Sequence, residues 1–140
     1  MADGQLPANV RLADAPLALR LLLPSCAALV HQGGAGTTMT ALACGVPQLV
    51  LPQVSDQHFN AERLALTGAG TALVGSQVSV GTISERVGEL VAGERWRSAA
   101  TLMADRVRAM PAPSELVAEL TGLASFARSA NEKRVRGVRR

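Results

Sequence analysis

The chain reads as an α/β domain built on a Rossmann-like parallel sheet, followed by a segment of helices alone. Three observations predict this. Two apolar runs, Ala27–His31 and Gln48–Leu51, lack polar alternation, as strands covered on both faces do. Helix-like stretches separate the runs at short spacing, which signals strand–helix–strand units. Beyond Val74 the apolar residues repeat only at the helical period.

Taken in order, residues 1–8 form a disordered lead, and Val10-Arg11-Leu12 is expected as a short strand. An apolar helix should run from Pro16 to Leu23, then a strand over Ala27–His31 and a helix over Thr38–Cys44. Gly45-Val46-Pro47 breaks that helix before the strand Gln48–Leu51, which ends at Pro52. A helix from about Asp56 to Leu66 stops at Gly68, and Thr71–Val74 supplies a further strand, giving about four in all. Thr82-Ile83-Ser84-Glu85 has capping-box spacing ahead of the stripe Ile83, Val87, Leu90 and Val91, and Gly93 closes that helix. Trp96, Ala100, Met103, Val107 and Met110 mark the next helix as core packing. After Pro111 and Pro113, Ser114 is placed to cap a last helix with Leu116, Val117, Leu120, Leu123 and Ala124 on its apolar face.

With 140 residues the chain fits one domain of moderate core. Aromatics are Trp96, Phe59 and Phe126 alone, so Leu, Val and Ala must fill that core. No apolar run nears the roughly 20 residues of a bilayer span, and the start lacks the regions of a signal peptide. Cys26 and Cys44 have no metal-like spacing, and reduced thiols in the cytoplasm are the expectation. The basic balance is local. Arg128, Lys133, Arg134, Arg136, Arg139 and Arg140 form a tail, residues 128–140, and without it the body is slightly acidic. Lacking aromatics, that tail reads as a solvated end rather than a nucleic-acid site.

His31-Gln32-Gly33-Gly34-Ala35-Gly36-Thr37-Thr38 joins a strand end to a helix start through glycine. Free backbone N–H groups, a positive helix dipole and the absence of Cβ atoms make such a turn a cradle for phosphate. An imidazole there adds a donor able to carry charge near neutral pH. The dinucleotide fingerprint is not met, because Met39 stands at its third glycine and no acidic residue closes the next strand. A Walker loop is excluded by the lack of a lysine after the glycines.

A second constellation, Gln53 to Ala61, follows the next strand and should sit beside the first at the carboxyl edge of the sheet. Asp56 with Gln57 can hold neighbouring hydroxyls, one accepting and the other both donating and accepting. Capping of a helix by Asp56 is the alternative. His58 is expected on the helix surface.

His31 to Thr37, Gly45-Val46-Pro47-Gln48, Leu51-Pro52 and Asp56-Gln57 with Asn60-Ala61 together resemble the donor half of GT-B glycosyltransferases. The likeness is nearest the bacterial enzymes that glycosylate antibiotics and macrolides, runs from about Asn9 to Leu123, and includes the break at Met110-Pro111-Ala112-Pro113. It implies a partial GT-B C-terminal domain over residues 9–127. It also implies that His31, Gly33, Gly34, Ala35, Gly36 and Thr37 bind the diphosphate of a nucleotide sugar, with His31 stabilising the leaving group. Asp56 and Gln57 would hold the donor hexose. No metal or other cofactor is implied, only the dTDP- or UDP-sugar substrate.

In many UDP-glucose users of this family a glutamate eight residues after the histidine grips the ribose. Met39 occupies that place and cannot, so a dTDP-deoxysugar fits better than UDP-glucose. No tryptophan stands near Asp14 to Pro16 to stack on the base, which leaves the backbone of Ala15 to Leu17 for base contacts. The acceptor-binding domain of such enzymes has no counterpart here, nor does the general base that activates the acceptor hydroxyl. The expected reaction, hexosyl transfer to a hydroxyl of a small apolar aglycone, therefore needs a further polypeptide segment. The early strands of the donor domain are also without counterpart, so an exposed sheet edge and an uncovered last helix are expected. Two other classes stay open. One is a non-catalytic subunit or remnant of such an enzyme, with a protein partner or self-association; the other is an unrelated flavodoxin-like nucleotide-binding module. No membrane partner is expected.

Overall fold

The structure, a computed structural model, describes residues 6–118 and 120–123. The chain divides into two compact units between Val107 and Arg108.

In the first unit a four-residue helix α1, Leu19–Leu22, runs into a single 3-10 turn, Leu23–Ser25. Three strands follow, β1 Leu29–His31, β2 Gln48–Val50 and β3 Gly70–Ala72. They form one parallel sheet in the order β1-β2-β3, with Val30 opposite Leu49 and Leu49 opposite Thr71. Helix α2, Ala35–Cys44, links β1 to β2, and α3, Ser55–Thr67, links β2 to β3. Helices α4, Val80–Ala92, and α5, Glu94–Arg108, complete the unit.

Three strands, not four, make the sheet. Val10–Leu12 is not a strand; its residues are exposed and have no sheet neighbour, so β propensity has no packing to act on. Leu29 N–H donates to Pro47 and Leu51 N–H donates to His31, so the paired groups of β1 all face β2. Val30 turns its backbone to the other side, which no described strand covers, and it is exposed.

Alternation along β2 sets the two layers. Val50 packs with Leu42 of α2, Ala61 and Leu64 of α3, and Ala100 of α5. Leu49, on the opposite face, packs with Leu73 and Leu90, supported by Ile83, Val87 and Trp96. A strand buried on both faces needs no polar alternation, and the pattern of Gln48–Leu51 follows from that. The consecutive strand order, with crossovers of one hand, puts α2 and α3 on the same face. Their N-termini consequently meet at the carboxyl edge of the sheet.

Helix stops follow local chemistry. Gly45 and Gly68 take left-handed conformations at the ends of α2 and α3. The cap of α4 differs from the one the spacing predicts. Ser79 is the N-cap, its hydroxyl accepting from Thr82 N–H at 3.1 Å while Thr82 Oγ1 accepts from Ser79 N–H at 3.0 Å. Thr82-Glu85 lies inside the helix. A reciprocal Ser/Thr pair at the same spacing outcompetes it.

In the second unit residues 113–118 and 120–123 are helical. Ser114 is inside that helix rather than its cap; Glu115 serves instead, accepting from Ala112 N–H at 3.2 Å. Leu116, Val117, Leu120 and Leu123 are exposed. Ala124 and the basic tail lie outside the described residues, as do residues 1–5 of the lead.

Candidate functional site

The site forms where β1 and β2 end and α2 and α3 begin. Gly34 is the N-cap of α2 and brings no side-chain acceptor to it. The N–H groups of Ala35, Gly36 and Thr37 therefore have no intrahelical partner. Thr38 closes the first turn, its N–H and its hydroxyl each donating to Gly34 O at 3.0 Å. A helix start without a cap, at the positive end of the dipole, suits an anion.

The loop before it is held on both sides. Gly33 has φ +95°, and a Cβ there would stand 2.7 Å from Val50 Cγ1, so only glycine fits. Its N–H donates to His31 Nδ1 at 3.1 Å, and its carbonyl accepts from Asn60 Nδ2 at 2.9 Å. Gly36 is different. Open space surrounds the place of its Cβ. Packing therefore gives no reason for glycine there.

His31 is half-buried at the end of β1. Its Nδ1 is taken by Gly33 and its Nε2 lies 3.0 Å from Gln48 Oε1. Burial pushes the imidazole below its usual 6.5, against the Gln48 hydrogen bond, which acts the other way. Near neutral pH the ring is consequently an uncharged donor, not the charged one suggested by its place in the sequence. Desolvation of the cation decides the difference.

Asp56 is exposed in the first turn of α3. Gln57 sits against the glycine loop, its backbone oxygen 3.1 Å from where a Gly33 Cβ would be. Gln57 Oε1 accepts from Gln53 N–H at 2.8 Å and Val54 N–H at 3.2 Å. The oxygen thus caps α3, and the amide NH2 takes no part in that cap. The fold brings Gly33, His31 and Gln57 together, with the first turn of α2 beside them. His58 lies on the helix surface, its ring donating to Val54 O at 3.0 Å.

Met39 is about half exposed, at 48%. It lines a hollow of about 260 Å³ between α2 and α3 with Ala35, Leu42, Asn60, Arg63 and Leu64. Its thioether offers no charged acceptor there. Among the described residues no group of His, Cys, Asp and Glu is placed to hold a metal ion, and no helix is long and apolar enough to cross a membrane.

Two supporting residues, Gln48, which is fully buried, and Asn60, stand in the motifs that carry the resemblance, but the sequence assigns neither a role. Each left one clue in the sequence. Gln48 opens an otherwise apolar strand, and Asn60 falls one helical turn after Asp56.

Residues 2–123 match the family described as Erythromycin biosynthesis protein CIII-like, C-terminal domain. The chain belongs to this family. It is 42% identical over 120 residues to the elloramycin glycosyltransferase of Streptomyces olivaceus, covering 84% of this chain and 29% of the relative. Identity to the L-demethylnoviosyl transferase of Streptomyces niveus is 44% over 127 residues, covering 90% and 32% of the two chains. The glycosyltransferase VinC, solved in complex with dTDP, superimposes with a TM-score of 0.81 at 37% identity, covering 88% of this chain and 31% of VinC. This member of the family thus spans less than a third of the length of those relatives. Its sheet and helices are those of the GT-B C-terminal part.

Proposed function

We propose that this chain is the donor-binding half of a hexosyltransferase. The enzyme would pass a deoxyhexose from a dTDP-sugar to a hydroxyl of a small apolar aglycone. One observation carries the reading. Three uncapped amides at the start of α2 face the same edge as a glycine loop clamped at both its N–H and its carbonyl.

In this reading Ala35, Gly36 and Thr37 donate to the diphosphate, and His31 adds its Nε2–H. Charge grows on that diphosphate as the glycosidic bond breaks, and donors fixed beforehand stabilise it without reorganising. A single such donor is typically worth about 3 kcal/mol. The Gln57 amide and the Asp56 carboxylate hold hexose hydroxyls. Met39 makes no demand for a ribose 2′-hydroxyl, which favours a deoxyribose nucleotide.

Comparison with relatives supports the nucleotide class. VinC is solved with dTDP and the rhamnosyltransferase SpnG with thymidine diphosphate, the latter at a TM-score of 0.77 and 36% identity. SpnG is also solved with spinosyn aglycone, which supports an aglycone acceptor. No general base for the acceptor hydroxyl is assigned among these residues, so turnover requires a second polypeptide segment. A base contributes about 10²–10⁴-fold in rate.

Calorimetry on the 140-residue chain tests the donor class with dTDP, UDP, FMN and NAD. The expected order is dTDP tightest, then UDP, with no binding of the other two. Preference for UDP would remove the deoxyribose argument. Preference for FMN would replace the glycosyltransferase reading with a flavodoxin-like one.

A further inference from the structure

Gln48 is a polar side chain with no exposure, set in the strand between two apolar layers. An aliphatic residue would fill that place without the cost of desolvating an amide, which is offset only when both ends are bonded. Both ends are. Oε1 lies 3.0 Å from His31 Nε2, and Nε2 donates to Thr38 O at 3.4 Å.

The direction of every hydrogen bond here is forced. Gly33 N–H can only donate, so His31 Nδ1 must be bare to accept it. A neutral imidazole then carries its proton on Nε2, and the group facing that proton must be an acceptor. Gln48 meets this with its oxygen, while its NH2 meets the Thr38 carbonyl. Turning the amide over would set donor against donor and oxygen against oxygen. One arrangement satisfies all four groups.

We infer that Gln48 is a positioning residue of the diphosphate site, holding His31 in the Nε2–H tautomer and tying its ring to the first turn of α2. The inference rests on the donor-site reading given above. A phosphate oxygen arriving at the α2 start would share the Nε2 proton with Gln48 Oε1. The ring then acts as a neutral donor, and no proton is gained or lost on binding. Thr38 links the same amide to the helix turn whose N–H groups face the ligand, so ring and cradle are set by one side chain.

Nitrogen-15 NMR on the full chain reads the tautomer directly, since His31 and His58 are its two histidines. The expected wild-type signature is an unprotonated Nδ1 and a protonated Nε2 on His31 near neutral pH. Gln48→Met leaves Gly33 alone to hold the tautomer, so that signature should shift part-way toward the average of two tautomers and dTDP should weaken about three- to tenfold, the range of one lost hydrogen bond. In a His31→Ala background Gln48→Met should weaken dTDP by less, because only its hold on Thr38 is then left to lose. Melting temperatures confirm that each variant is folded.

A wild-type His31 with its proton on Nδ1, or averaged over both nitrogens, overturns the inference even if every variant fails to fold. So does an unchanged dTDP affinity in folded Gln48→Met, or an equal loss with and without His31. A locked Nε2–H signature in a chain that binds no dTDP overturns the donor reading instead, and with it the role of Gln48 toward a diphosphate.

Discussion

Asn60 donates from its Nδ2 to the carbonyl of Gly33 at 2.9 Å, joining α3 to the glycine turn ahead of α2. The turn is otherwise a short backbone segment between a strand and a helix, so one side chain from a separate helix fixes its tilt. Asn60→Ala should cost about 1 kcal/mol of stability. It should also weaken dTDP several-fold, since the amides no longer arrive in place. Urea unfolding and calorimetry on one preparation separate the two effects. Unchanged affinity with lowered stability would reduce Asn60 to a fold residue.

The glycines of one motif should respond in opposite ways. Gly33→Ala forces a side chain into φ +95° and against Val50, so it should destabilise the fold by more than about 1 kcal/mol. Gly36→Val meets open space, so the melting temperature should change little while dTDP binding is blocked. Equal thermal losses in both variants would contradict the ligand role of Gly36.

Gln57 has one end in the fold and one end free. Gln57→Glu keeps an acceptor for Gln53 and Val54 N–H and removes the NH2 donor. Affinity for dTDP should hold within about twofold, while affinity for a dTDP-hexose falls about three- to tenfold. A parallel loss for both ligands would place Gln57 against the phosphates rather than the sugar.

The state of His31 sets a pH dependence. Burial holds its folded value below 6.5, so unfolded chains take up the proton first as pH falls. Stability should therefore be level above about pH 7 and decline below about pH 6.5, with a slope under about 1.4 kcal/mol per pH unit because one group differs by at most one proton. His31→Gln should remove this part of the decline. Urea unfolding at about pH 7.5 and about pH 5.5 measures the difference.

Much of the architecture was legible because it depends on patterns the chain repeats. The apolar run of β2 has no alternation since it is covered on two faces, whereas β1 shares the pattern although its Val30 is exposed, and Gly45 and Gly68 mark helix ends through left-handed backbone. Val10–Leu12 misled because strand propensity was read without a neighbour to pair with. Thr82-Glu85 misled because two overlapping capping patterns differ only in which hydroxyl reaches a backbone N–H. In the site, the glycine run and Gln57 could be seen as residue types suited to phosphate and sugar. The neutrality of His31 could not, because it comes from burial and from two partners that the chain alone does not reveal.

The starts of α2 and α3 lie at one edge of the sheet, in a body whose side chains give a slight excess of negative charge. In the proposed site most of the attraction for a diphosphate comes from peptide groups, which neither titrate nor accept acetyl or phosphoryl groups. Affinity for a diphosphate should thus persist, above the pH at which His31 takes up a proton, through lysine and serine modification that would silence a site made of basic side chains. Ionic strength remains the solution variable able to weaken it.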